Sequence, residues 1–261
     1  MLGRKKIIIG NWKMNPETQG EAKRIFINIK DEAAKRRRVL TVICPPAIYL
    51  NSLRKLYTTP KMALGAQTIS EYSRVGAWTG EISAELAHGM GASFSIVGHS
   101  ERRELGEDNG AVARKARAVL EAGLFAVVCV GEKERNESGS FLRFIENQLK
   151  LSLAKTPKKY LRRLIVAYEP LWAISKGFKN KVAMKPCDVE ETILFIKKIL
   201  IVIYGKEEGS LVPILYGGSA APESASDLMS IPALGGLLVG RDSLDPERFG
   251  KILKIADGIR I

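Results

Sequence analysis

Cysteine is scarce: Cys44, Cys129 and Cys187 are the only three in 261 residues. Their odd number excludes a simple disulfide framework, and no two stand as C-x-x-C, the spacing of a zinc site or a dithiol redox pair. Histidine is scarcer, with only His88 and His99, and no Asp, Glu or His cluster has metal-ligand spacing. Neither a metal nor a cofactor is expected. No apolar stretch reaches the length of a membrane span; the one from Ile193 to Tyr204 is broken by Lys197 and Lys198, so no membrane partner is expected. The start, Met1-Leu-Gly-Arg-Lys-Lys6, leads only into Ile7-Ile-Ile9, too short for a signal h-region, which points to a cytoplasmic location. Walker loops and nucleophile elbows are missing too.

Acidic residues are in deficit. Lys and Arg number 41 against 28 Asp and Glu, a formal charge of +13, and the isoelectric point is near 9.7. Such a balance suits an anionic partner. The basic residues are nevertheless spread along helical segments, as in Lys35-Arg-Arg-Arg38 and Lys158-Lys-Tyr-Leu-Arg-Arg163, with no nucleic-acid signature beside them. They read as solvated helix faces, and a small anionic metabolite is the better match than DNA or RNA.

What is plentiful is short apolar runs, within a composition that is 46% hydrophobic. Eight recur: Ile7–Ile9, Val39–Ile43, Met62–Ala66, Phe94–Val97, Phe125–Val130, Leu164–Ala167, Val212–Leu215 and Gly236–Val239. Between them lie segments with helical spacing, among them Glu17–Lys35, Ala111–Ala122, Phe141–Leu153, Asp188–Ile203 and Ala221–Ser230. Pro16, Asp188 and Pro222 mark helix starts. Eight strand-then-helix units without a linker predict a single α/β domain over 1–261, a (β/α)8 TIM barrel, whose usual length is roughly 250 residues. An open doubly wound sheet is the alternative, but no G-x-G-x-x-G turn follows the first run to support it.

Polar residues gather where the runs end. The exits read Gly10-Asn11-Trp12-Lys13, Gln67, Gly98-His99-Ser100-Glu101-Arg102-Arg103, Gly131-Glu132, Glu169, Tyr216-Gly217-Gly218-Ser219 and Gly240-Arg241. In a barrel these C-terminal ends share one face, where the chemistry sits. Glu169 is followed at once by Pro170, then by Trp172, Ile174 and Gly177 on what must be a loop. A loop bearing large hydrophobes beside a lone acid predicts a lid that excludes water near a base. A strand-end Glu in a surface salt bridge is the bland alternative. His88 reads as structural, whereas His99 precedes Ser100-Glu101, expected to cap and open a helix whose N-terminus disfavours the imidazolium. The glycine-rich exits of the seventh and eighth runs suggest an anion cradle of backbone N–H groups.

Six segments together, Gly10-Asn-Trp-Lys-Met-Asn15, Gly80-Glu-Ile-Ser83, Val97-Gly-His-Ser-Glu-Arg-Arg103, Cys129-Val-Gly-Glu132, Ala167-Tyr-Glu-Pro-Leu-Trp-Ala-Ile174 and Tyr216-Gly-Gly-Ser219, resemble the triosephosphate isomerase family. The resemblance runs from near Ile7 to about Phe249. It implies interconversion of dihydroxyacetone phosphate and glyceraldehyde 3-phosphate, in glycolysis and gluconeogenesis, without a cofactor. It implies Glu169 as the base, His99 as a neutral electrophile, and Lys13 with Asn11 stabilising the enediolate. Asn11, Lys13, Ser175, Ser219, Gly240 and Arg241 would bind substrate and its phosphate. Pro170, Trp172, Ile174 and Gly177 would belong to the lid, Ile174 and Leu238 would clamp the base, and Tyr216 and Ser219 would latch the closed lid. Family members pair as homodimers, with Thr79 matching the residue that reaches the partner's Asn11 and Lys13 region.

Two positions depart from the family pattern. The lid tip reads Ile174-Ser175-Lys176-Gly177-Phe178, so Ser175 offers its N–H to phosphate only if closure does not need φ > 0 there. Arg241 stands in place of a second glycine; its amide can serve the cradle while its side chain is expected to point to solvent. An isomerase of a four-carbon ketose phosphate and a non-catalytic phosphate-binding barrel remain the other readings.

Overall fold

Successive residues of the first strand, β1 (Lys6–Asn11), part to opposite sides: Ile7 and Ile9 join one apolar cluster and Ile8 another. The split recurs in β2 (Val39–Cys44), β3 (Met62–Ala66), β4 (Ala92–Val97), β5 (Phe125–Val130), β6 (Leu164–Tyr168), β7 (Ile214–Tyr216) and β8 (Gly236–Val239). Both faces of every strand are thus covered, the condition for an all-parallel sheet. In this computed structural model, which describes residues 5–56, 60–72, 76–135, 139–173 and 184–259, each strand pairs in parallel with the next. β8 returns to β1, with Ile7 opposite Gly236 and Ile9 opposite Leu238, and the barrel closes.

The inner cluster contains Ile7, Ile9, Val42, Ile96, Val127, Ile165 and Leu215, with Phe94 stacked on Phe125 at 4.7 Å between ring centroids. The outer cluster packs Ile8, Leu64, Val128 and Val166 against the helices. These are α1 (Gln19–Ala34), α2 (Leu50–Arg54), α3 (Ala84–Gly89), α4 (Ser100–Glu104), α5 (Asn109–Glu121), α6 (Ser140–Leu153), α7 (Pro186–Tyr204), α8 (Lys206–Leu211), α9 (Pro222–Met229) and α10 (Pro246–Gly258). Among the described residues, no helix is long and apolar enough to cross a membrane.

Of the boundaries that fall away from the expected places, three have a plain local cause. β7 begins at Ile214, not Val212, because Pro213 has no N–H for the ladder; its carbonyl still accepts from Val166 N–H at 3.0 Å. α1 starts after Thr18, whose hydroxyl accepts the Glu21 N–H at 3.2 Å. α7 opens two residues before Asp188, with Pro186 in the first turn, where a missing N–H costs nothing.

Candidate active site

Trp12, fully buried, anchors the turn after β1: its Nε1 donates to the Ser243 carbonyl at 3.0 Å. That bond ties the β1 exit to the 3-10 turn Arg241–Leu244 after β8. The next residue, Lys13, is held at φ = 52°, a left-handed conformation that costs a non-glycine residue about 1–3 kcal/mol. Two neighbours fix it. Asn11 Oδ1 accepts the Lys13 N–H at 3.1 Å, and Gln67 Nε2 donates to the carbonyls of Lys13 (2.7 Å) and Cys44 (2.9 Å). The Lys13 ammonium lies 2.6 Å from Glu101 Oε1.

The β4 exit turns through Gly98, φ = 68°, whose N–H donates to Glu107 Oε1 at 2.9 Å. Glu107 is buried and paired with Lys115 at 2.5 Å. Arg103 binds the Gly98 carbonyl (2.8 Å), the Cys129 carbonyl (3.1 Å) and Asn109 Oδ1 (2.7 Å), holding β4, β5 and α5 in register. Burial lowers the Arg103 pKa against the pull of nearby acids. His99, rather than Ser100, is the N-cap of α4: its Nδ1 accepts the Glu101 N–H at 3.3 Å. A side chain two atoms past Cβ reaches the same N–H that a serine cap would take. An accepting Nδ1 leaves the ring proton on Nε2.

Glu169, at the end of β6, is only 2% exposed. Its Oε2 accepts the Ser100 N–H at 3.0 Å, and its Oε1 lies 3.2 Å from His99 Nε2. Gly217 leaves room for it, since a Cβ there would stand 2.9 Å from Glu169 Cγ. Beneath, burial pushes the Cys129 thiol well up, with the Glu169 charge adding to the effect, so the thiol keeps its proton.

Pro170 is buried, and the chain then turns through Leu171–Ala173. Trp172 Nε1 and the Tyr168 hydroxyl both donate to Glu132 Oε1, at 2.8 and 2.9 Å. Glu132 is itself buried and its Oε2 has no partner among the described residues. Burial raises its pKa, while the Trp172 and Tyr168 hydrogen bonds and the nearby Arg135 charge oppose the shift. Ser219 Oγ donates to the Ala173 carbonyl at 2.8 Å, tying the β7 exit to this turn. Tyr216 is buried, which raises its phenol pKa.

These exits enclose a cleft of about 390 Å³ lined by Asn11, Lys13, His99, Glu169, Ser219, Leu238, Gly240 and Arg241 among others. Its size falls in the range of small-molecule sites, roughly 300–1,000 Å³. Pro170, Trp172 and Tyr216 stand behind the lining rather than in it. Ile174, Ser175 and Gly177 lie outside the described residues. Thr79 is exposed on the loop after β3 and does not line the cleft, and His88 is exposed in the last turn of α3. Among the described residues, no group of three or more His, Cys, Asp or Glu side chains has metal-site geometry. Gln67, Glu101, Glu107 and Glu132 complete the site as partners of its residues. Three of them stand at strand exits and were visible there; their pairings were not. A carboxylate, an N–H-bearing imidazole and an ammonium facing one cleft beside glycine-rich turns can move a proton on a small phosphate ester.

The family model described as Triosephosphate isomerase matches residues 6–256. The triosephosphate isomerase of Chlamydia trachomatis serovar A is 39% identical over 256 residues, spanning 97% of this chain and 90% of that protein. That of Aquifex aeolicus is 38% identical over 252 residues, with 95% and 98% covered. The crystal structure of triosephosphate isomerase from Bartonella henselae superposes with a TM-score of 0.83 at 32% identity, covering 96% of this chain and 98% of that one.

Proposed function

Because this chain belongs to the triosephosphate isomerase family, we propose that it interconverts dihydroxyacetone phosphate and D-glyceraldehyde 3-phosphate. The reaction serves glycolysis and gluconeogenesis in the cytoplasm and uses no cofactor. The observation that carries this reading is the approach of His99 Nε2 to Glu169 Oε1, 3.2 Å, on the wall of one cleft with Lys13 and Asn11.

Glu169 removes the proton on the carbon beside the substrate carbonyl and returns it to the neighbouring carbon. To reach that proton, the carboxylate gives up the Ser100 N–H. His99 donates from Nε2 to the carbonyl oxygen, and the Lys13 ammonium with the Asn11 amide stabilises the enediolate. A C–H beside a carbonyl is too weakly acidic for a carboxylate in water, so preorganised donors in a water-excluded site must supply the difference. Backbone N–H groups of Ser219, Gly240, Arg241 and, from the lid, Ser175 hold the phosphate. Leu238 and Ile174 clamp the base.

A second copy of the chain completes the assembly. Met14, Ile48, Tyr72, Trp78, Leu86 and Leu105, which follow the first four strands, are large and exposed, as are Phe144, Leu151, Leu194, Val202 and Leu211 on the helices α6 to α8. Trp78 is 45% exposed and stacks on Tyr72 at 3.5 Å. A stacked, exposed aromatic pair on the loop after β3 suits an interface, with Thr79 reaching the partner subunit. Light scattering should give twice the 28.7 kDa chain mass; the mass of a single chain in an active sample contradicts this.

The function is tested by a coupled assay on glyceraldehyde 3-phosphate with tetrulose phosphates alongside. A kcat/KM above about 10⁴ M⁻¹s⁻¹ for the triose, and at least about tenfold lower for the tetruloses, is expected. Preference for the tetruloses, or no turnover, contradicts it.

A further inference from the structure

Five charged side chains line the cleft: Lys13 and Arg241 against Glu101, Glu169 and Asp242. Four of them have partners within the protein. Lys13 Nζ lies 2.6 Å from Glu101 Oε1, and Glu169 accepts from Ser100 N–H beside His99. Asp242 Oδ2 accepts from Arg248 Nη2 at 3.0 Å. Arg248, on α10, is itself anchored by two further bonds to the Glu223 carboxylate on α9, at 3.1 and 2.9 Å. Asp242 is the acid nearest to Arg241 in sequence, and this clamp engages it from the helix layer. Among the described residues, the Arg241 side chain has no hydrogen bond and no ion pair, although it borders the cleft beside Gly240.

We propose that the Arg241 guanidinium binds the substrate's phosphate, in addition to the backbone N–H groups of the glycine-rich turns. The inference rests on the reading of the substrate as a phosphate ester. A dianion entering this cleft meets two cations, of which Lys13 is already neutralised at short range by Glu101. Arg241 is the cation that needs no internal partner displaced. Its planar fork of donors matches two oxygens of a phosphate, which an ammonium cannot do. The side chain expected to face solvent is thus exposed at the mouth of the cleft, where an incoming anion would first meet it. The Arg248 bridge between Asp242 and Glu223 keeps the neighbouring acid from quenching it.

The test compares Arg241→Gln and Arg241→Lys with the parent, in steady-state assays on glyceraldehyde 3-phosphate and in competition by inorganic phosphate. The Gln variant should raise KM and the inhibition constant for phosphate by about tenfold each, more than it lowers kcat, and Lys should recover part of both. Changes within about twofold on both constants in the Gln variant overturn the proposal, as does a fall in kcat with KM and phosphate inhibition unmoved. Calorimetric binding of inorganic phosphate to the parent and the Gln variant reads the same contact without turnover. An inactive parent would therefore sink the isomerase reading alone, and equal phosphate affinity in the two proteins would sink this one.

Discussion

Nε2 of His99 lies 3.2 Å from Oε1 of Glu169, and the ring's other nitrogen accepts the Glu101 N–H. The backbone of α4 therefore selects the tautomer that presents a proton to the cleft. Nitrogen-15 shifts should show the Nε2–H tautomer in the neutral ring of His99. His99→Gln should lower kcat by about 10²–10⁴-fold. A loss below about tenfold, or a neutral ring that carries its proton on Nδ1, contradicts the assignment.

Gly217 is required by Glu169 rather than by the turn. A methyl group there would sit 2.9 Å from Glu169 Cγ and 3.5 Å from Leu238 Cδ2. Gly217→Ala should displace the Glu169 carboxylate by a few tenths of an ångström and, with Glu169 as the proposed base, lower kcat about tenfold or more, with the protein still folded. Unchanged kcat would mean that the carboxylate position is not set there.

Gln67 spans three turns by donating to Lys13 and Cys44 carbonyls. Gln67→Leu leaves both carbonyls without this donor and leaves the Lys13 turn, at φ = 52°, held by Asn11 alone of the two. Urea unfolding should show a loss of about 1–3 kcal/mol, and kcat/KM should fall with it. Full stability in the variant would show that the strained turn holds without the amide.

Glu132 offers a pH signature. Burial raises its pKa in the folded state, so the folded protein holds this proton over a pH window in which the unfolded chain has lost it. The contribution of Glu132 to stability therefore falls as pH rises from about 4, the ordinary carboxylate value, through the raised one. Glu132→Gln keeps an oxygen for Trp172 and Tyr168 but does not titrate. Its melting temperature relative to the parent should rise from acid toward neutral pH. A difference independent of pH contradicts this.

Much of the architecture was legible because both faces of each strand are buried, which writes a parallel barrel as eight plain apolar runs. The exit residues followed from that count, since a closed parallel barrel brings every strand's C-terminal end to one rim. What stayed hidden depends on register between distant segments. Gln67 bridging Lys13 and Cys44, and Glu132 receiving both Tyr168 and Trp172, join strands that share no local pattern. The cap of α4 was misplaced by one residue because histidine rarely fills that role and Ser100 is the ordinary candidate. The Arg241 side chain is exposed, as its sequence position suggested, but its place on the cleft and the engagement of the neighbouring Asp242 by Arg248 were not legible there.

In the proposed reaction Glu169 is the group that moves the proton. Glu169→Asp keeps the charge and withdraws the carboxylate by one methylene, so its kcat on glyceraldehyde 3-phosphate tests geometry and identity together. A fall of about 10²-fold or more, with KM changed far less, is the predicted result. An Asp variant within about threefold of the parent in kcat would place the base elsewhere and contradict the mechanism.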